Sequence, residues 1–219
     1  MHFQFLIEDN SGGVFLQTLM EKVQKEYPNF TFSIKPFRGS GGFRKSGTVN
    51  EIRTGKLLND LAIYLKGFEK SLQGIDAAIF VVLDNDDRIT EQFSAQLERV
   101  AEENGIAMDH VFCIAVEEME AWLLGDPAAI RSAYPSAKHQ VVQAYEQDSI
   151  CGTWETLADA VYPGGVKKLK KDSSSYFEIG AMKAEWARNI ASHMNWRENL
   201  SPSFHFFMKE LLQRIPAAA

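Results

Sequence analysis

Apolar residues recur along this chain at two periods, and the alternation between them predicts the element order. Residues 3–7 (FQFLI) form a short apolar run that stops at Glu8. A turn-forming stretch, Asp9-Asn10-Ser11-Gly12-Gly13, leads into Val14, Leu16, Leu19, Met20 and Val23, which fall near helical spacing. Tyr27-Pro28-Asn29 stops that helix, and residues 30–37 (FTFSIKPF) alternate as a strand does. The glycine- and serine-rich stretch 38–47 reads as a flexible loop. A helix is predicted over about 51–71, with Leu57, Leu58, Leu61, Ile63 and Leu65 on its apolar side. Residues 75–83 (IDAAIFVVL) are almost continuously apolar, which marks a strand buried on both faces. A helix over about 90–104 is closed by Asn104-Gly105, residues 111–116 (VFCIAV) read as the next buried strand, and 117–126 (EEMEAWLLGD) as a helix running on from it.

Strand and helix thus alternate up to Asp126, and that alternation predicts an α/β fold with a doubly wound, mainly parallel sheet flanked by helices. Beyond it the strand-like runs cease. Helical patterns alternate with loops, and 178–194 and 203–215 read as two closing helices. The chain therefore divides into an α/β core over 1–126 and a helical C-terminal extension over 127–219 packed on it.

Composition narrows the class. With 219 residues, 45% hydrophobic and 24% charged, the chain is neither disordered nor fibrous, and its length is sufficient for a large core without metal or disulfide staples. Cys113 and Cys151 have no metal-ligand spacing and suggest no disulfide framework, which fits a reducing compartment. The start, MHFQFLIEDN, has no signal-peptide pattern, and no apolar stretch reaches the ~18 residues of a membrane span, so a cytoplasmic protein is the expectation.

Net charge is −6, which argues against a general nucleic-acid coat protein. Its distribution is more telling. Positions 35–56 hold Lys35, Arg38, Arg44, Lys45, Arg53 and Lys56 against Glu51 alone, whereas 84–126 hold twelve acids against Arg88 and Arg99. Lys167, Lys168, Lys170 and Lys171 make a second basic spot. Such asymmetry fits a cation-holding site beside a phosphate-holding surface, or two solvated faces of opposite sign.

The strand ends carry the candidate chemistry. Glu8 ends the first strand, Asp84 and Asp86 end that at 75–83, and Glu117, Glu118 and Glu120 follow that at 111–116. Parallel strands bring their carboxyl ends to one edge, where open α/β sheets bind ligands. Carboxylates converging there repel one another unless a cation neutralises them, and oxygen donors without Cys or His partners favour Mg²⁺ or Mn²⁺ over Zn²⁺. Each element also has a structural reading: acids at helix N-termini meet the helix dipole, and Asp-x-Asp can be an Asx-turn with an N-cap. On a continuous helix Glu117 and Glu120 share a face and Glu118 points away; if the helix starts later, Glu118 lies at its mouth. Both arrangements remain open. The five histidines have no ligand spacing, and no nucleophile elbow, Walker A or dinucleotide-binding glycine pattern is present. The aromatic groups Trp186/Trp196 and Phe204/Phe206/Phe207 read as core rather than base-stacking platforms.

These residues resemble a known group. A Glu after strand one, Asp-x-Asp after a later buried strand and further acids beyond it look like the Toprim (topoisomerase–primase) metal site. More closely, FLIEDNSGGVFL (5–16), IFVVLDNDD (79–87), VEEMEAWLLGD (116–126), Lys183 and SPSF (201–204) resemble the bacterial Toprim-like proteins grouped as domain of unknown function 4276. The resemblance implies a Toprim-like fold and divalent-metal phosphodiester chemistry. It makes Glu8 the general acid/base, gives Asp84 and Asp86 the Mg²⁺ or Mn²⁺, and adds Glu118 and Glu120 to complete or extend the site. Relatives among overcoming-lysogenization-type nucleases imply an ATPase partner and a role in phage or plasmid defence. Many Toprim nucleases carry a second acid four residues after the first, and this chain has Gly12 there; Asp9 and Asp87 are the substitutes at hand.

The leading expectation is a Mg²⁺-dependent nuclease-like protein acting on DNA or RNA, with Lys183, Arg44 or Lys56 stabilising phosphate charge and Arg38, Arg44 and Lys45 holding nucleic acid. An alternative is a non-catalytic regulatory subunit of an ATPase system, favoured by Gly12. A haloacid-dehalogenase-like phosphatase ranks lower, because Arg88 stands where that family has Thr or Val.

Overall fold

A computed structural model of the protein describes residues 1–37 and 56–217, with Lys56 described by its backbone alone. The loop reading of 38–47 and the start of the helix expected over 51–71 lie outside the described residues. Four strands form the sheet: β1 (His2–Ile7), β2 (Thr31–Pro36), β3 (Ala77–Asp84) and β4 (His110–Ala115), in the order β2-β1-β3-β4 with every pair parallel. The chain winds from β1 outward to β2 and then crosses back to β3 on the other side of β1. The β1–β3 junction is thus the switch point of a doubly wound sheet.

Strand parity assigns the two faces. Phe3, Phe5, Ile7, Ala78, Phe80, Val82, Val111, Cys113 and Ala115 belong to one buried cluster, and Leu6, Ile79, Val81, Leu83, Phe112 and Ile114 to the other. Both faces of β1, β3 and β4 are covered, which is why these strands read as continuous apolar runs. Edge strand β2 is largely exposed.

The second face is covered by α2 (Lys56–Asn59), α3 (Leu61–Ser71) and α4 (Thr90–Glu103). The expected long helix is interrupted at Asp60, the N-cap position of α3. Leu57, Leu58, Leu61 and Leu65 are buried as expected, whereas Ile63 is 68% exposed: two residues from Leu61, it lies on the opposite side of the helix. Ile75 is likewise exposed, outside the start of β3.

The first face is covered by α1 (Asn10–Glu26) and by the helices beyond β4. These are α5 (Glu120–Leu124), α6 (Pro127–Ala133), α7 (His139–Ala144), α8 (Thr153–Val161), α9 (Gly165–Asp172), α10 (Tyr176–His193) and α11 (Pro202–Leu212). Trp122 of α5 stacks on Phe207 of α11 with centroids 5.1 Å apart, and Phe207 also meets Phe5 and Phe80 of the sheet. Truncating so central a ring typically costs ~3–5 kcal/mol. Phe204, Trp186 and Trp196 are buried as expected of core, but Phe206 is 45% exposed. Helix α10 lies along α1, and the Lys22 ammonium of α1 donates to the carbonyls of Ala191, Ser192 and Met194 at 3.3, 3.0 and 2.6 Å. A cation on terminal carbonyls caps a helix and favours its dipole; here it ties the end of α10 to α1. Among the described residues no helix is long and apolar enough to cross a membrane.

Candidate functional site at the carboxyl edge of the sheet

Three parallel strands deliver acids to one edge. At the end of β1, Glu8 is 4% exposed. Its Oε2 accepts the Asp84 amide of neighbouring β3 at 3.0 Å, while Oε1 is buried with no hydrogen-bond partner among the described residues. Burial raises the Glu8 carboxyl to about 7; the Asp84 amide opposes this, and the Asp86 and Asp9 carboxylates add to it.

Asp9 comes next as the N-cap of α1, its Oδ1 accepting the Gly12 amide at 2.7 Å and its Oδ2 the Ser11 hydroxyl. Gly12 itself is packed against the strand. A Cβ built there would lie 2.4 Å from Met119 Cε and 2.5 Å from Ile7 Cδ1. A side chain at the position where a second acid is expected from the resemblance would have to displace the ends of Met119 and Ile7.

Asp84, at the end of β3, keeps part of its surface accessible. Burial and the charges of Glu8, Asp9 and Glu120 push its carboxyl well above the usual range, with Lys183 opposing. Asp86 takes a left-handed conformation (φ 49°), and its Oδ2 is paired with Arg88 at 2.8 Å. It acts on Glu8 through its charge while its carboxylate is engaged elsewhere. Between them, buried Asn85 accepts the Glu117 amide and donates to Arg88 O and Thr90 Oγ1 at 2.8 and 2.9 Å, tying the β3 and β4 ends together.

The segment after β4 departs from the expected continuous helix. Helix α5 begins at Glu120, and Glu117 adopts φ 61°. Its carboxylate accepts the amides of Cys151, Gly152 and Thr153 at 3.0, 2.8 and 2.8 Å, and the Thr153 hydroxyl. Burial opposes ionisation there, but these donors hold its carboxyl below the usual range. Glu117 is therefore a cap for α8. The late helix start leaves Glu118 at the mouth and Glu120 inside. Glu118 accepts the Trp154 amide at 3.1 Å; burial and the Glu120 charge raise it to about 8. Glu120, 4% exposed, is 3.2 Å from the Lys183 ammonium of α10. Burial pushes the Glu120 carboxyl up, with Lys183 opposing. Burial alone would lower Lys183, but Glu120, Glu118, Asp9 and Asp84 outweigh it and hold the ammonium protonated.

The structure thus brings together Glu8, Asp84, Glu118, Glu120 and Lys183, with Asp9 as a member that reads in the sequence as a turn residue with only a secondary role. Arg38, Arg44 and Lys45 lie outside the described residues, and of Lys56 only the backbone is described. The donors are hard oxygens, the kind that suits Mg²⁺ or Mn²⁺, and Glu8 Oε1 is an unused one. As the side chains stand, no three His, Cys, Asp or Glu among the described residues form a group able to hold a metal ion; several of the acids are already engaged, Glu8 by the Asp84 amide, Asp9 by the Gly12 amide, Asp86 by Arg88, Glu118 by the Trp154 amide and Glu120 by Lys183.

The family model described as Domain of unknown function (DUF4276) matches residues 7–212, and the chain belongs to that family. No curated protein and no solved structure matches.

Proposed function

We propose that this family member binds a divalent cation, Mg²⁺ or Mn²⁺, at the carboxyl edge of its sheet and acts on nucleic-acid phosphodiesters, in the manner of a Toprim-like nuclease. The observation that carries this reading is Glu8 Oε1: a buried carboxylate oxygen without a partner among the described residues, in a cluster where the acids outnumber the Lys183 ammonium. Burying so many like charges is costly unless protons or a cation join them.

Glu8, Asp84 and Glu118 are the residues that would hold the ion, with Asp86 joining on leaving Arg88. Such a cation polarises a phosphoryl oxygen and makes water a better nucleophile. The chain's own groups supply the rest. Without the ion, Glu8, whose carboxyl burial raises to about 7, is the group that holds a proton in its place. Lys183 places fixed positive charge beside the pocket for phosphate. The resemblance adds an ATPase partner and phage or plasmid defence to this reading.

A second reading has its own observation. Glu120 and Lys183 already neutralise each other, and Gly12, packed against Met119 and Ile7, supplies no second acid; both suit a regulatory subunit that keeps the fold without cleaving. The assay that separates them incubates supercoiled plasmid and single-stranded RNA with Mn²⁺, with and without a co-purified ATPase. Metal-dependent cleavage that falls at least ~100-fold in Asp84→Asn supports the nuclease. Binding of Mn²⁺ without cleavage under any of these conditions supports the regulatory subunit.

A further inference from the structure

The lysines of α9 and the aromatic start of α10 are not used by the site described above, yet they lead into it. Lys183 belongs to the stripe of α10 that faces the core, together with Ala187 and Ile190. Followed toward the N-terminus, the same stripe passes Gly180 and reaches Tyr176, seven residues and about 10 Å from Lys183. There it is uncovered. Tyr176 is 91% exposed and its neighbour Phe177 85% exposed, the two most exposed of the large apolar side chains among the described residues. A Cβ built at Gly180 meets nothing within 4 Å, so the lane between Tyr176 and Lys183 is open.

The helix that precedes α10 is basic. Helix α9 carries four lysines against Asp172. Lys168 is paired with Asp172 and Lys170 with Glu155, but Lys167 and Lys171, one turn apart, make no ion pair among the described residues. The Trp154 ring joins the lysine helix to the acidic pocket, with Lys170 Nζ 5.0 Å and Lys183 Nζ 5.9 Å from its centroid.

We infer that this surface binds single-stranded nucleic acid, with bases stacked on Tyr176 and Phe177 and phosphates held by Lys167 and Lys171, and that the strand passes Gly180 to reach Lys183. Exposed rings beside unpaired lysines are how single strands are held without sequence preference: every base offers a flat face, and the cations track the backbone. A duplex keeps its bases stacked and offers the rings nothing. The lane ends at a pocket that meets a phosphate with Lys183. This inference rests on the phosphodiester reading of that pocket and names its substrate class.

The test is fluorescence anisotropy with a labelled single-stranded oligonucleotide and its duplex, in EDTA so that binding is read apart from metal chemistry. The wild type should prefer the single strand by ~10-fold or more, and Tyr176→Ala/Phe177→Ala should weaken single-strand binding at least ~10-fold. Lys167→Ala/Lys171→Ala should lower the log–log salt slope by about 0.7 for each phosphate that is no longer neutralised. Equal affinity for duplex and single strand, or variants that bind as the wild type does, overturns the inference. So does sedimentation showing that the aromatic pair joins two copies, or binding to phosphatidylserine vesicles in place of the oligonucleotide. Mn²⁺ binding, measured separately on the aromatic variant, keeps the two readings apart. If the ion binds and the aromatic pair is irrelevant, only this inference fails. If the strand binds through the pair but no ion does, the metal reading fails and the strand-binding assignment stands.

Discussion

The Asp84 amide donates to Glu8 Oε2 at 3.0 Å across the β1–β3 junction, and Glu8 Oε1 is left buried without a partner. This one bond joins the two strand ends at which the sheet reverses its winding. It orients Glu8 toward the remaining acids and leaves half of the carboxylate unused. Around it stand Asp9, Asp84, Glu118 and Glu120, and Lys183 is the ammonium that α10 lays across them.

Gly12 should not tolerate a side chain. A methyl group meets Ile7 Cδ1 at 2.5 Å, and Ile7 is a buried strand residue with little room to move. Gly12→Ala is expected to destabilise by about 1–3 kcal/mol in urea unfolding, despite the better helix propensity of alanine. Gly12→Asp should cost more and add no metal affinity. A stabilised Gly12→Ala protein would contradict this packing.

Removing Lys183 should expose the charge it offsets. In Lys183→Met, Glu120 stays 4% exposed without a counter-charge, and breaking such a pair costs about 3–5 kcal/mol. The loss should be smaller at pH 5.5 than at pH 8, because Glu120 can then be protonated. Adding Glu120→Gln should recover much of it. Chemical denaturation of the four proteins of this cycle gives the coupling directly; additive effects would mean that the pair is not an interacting unit.

The pocket also makes a pH signature. Glu8 and Glu118 have folded values of about 7 and about 8, above their ordinary 4.5, so the folded state binds more protons than the unfolded chain between those limits. The stability these two groups contribute is therefore fully present below about pH 4.5 and is lost as pH rises to about 8. Lys183 stays charged throughout and adds no slope. Without metal, the melting temperature should fall between pH 5 and pH 8.5, and Glu8→Gln should flatten the fall. A profile that rises over this range would contradict the crowding of buried acids.

Much of this arrangement is legible in the sequence. The runs ending at Glu8 and Asp84 are largely apolar because their strands are covered on both faces, and parallel strands bring their ends to one edge. The segment after β4 is not legible. A run of Glu-Glu-Met-Glu before Ala-Trp-Leu-Leu has helical spacing, yet Glu117 takes φ 61° because its carboxylate is held by amides at residues 151–153, more than thirty positions away. That distant capture, together with the Asn85 and Asp86 bonds to its backbone, turns Glu117 away from Glu118 and Glu120. Asp86 has the right spacing for a ligand, but a neighbour two residues on, Arg88, engages it. Asp9 resembles a turn residue and is one, as the cap of α1; its second role as a charge in the pocket comes from where β1 ends.

Diffraction from crystals soaked in Mn²⁺ tests the central claim most directly, since the anomalous signal locates the ion without any assumption about activity. The expected result is one strong peak at the carboxyl edge of the sheet, about 2.0–2.2 Å from oxygens of Glu8 and Asp84, and no peak there in Asp84→Asn. Ions bound only at surface acids, with Glu8 Oε1 still lacking a partner, would contradict it.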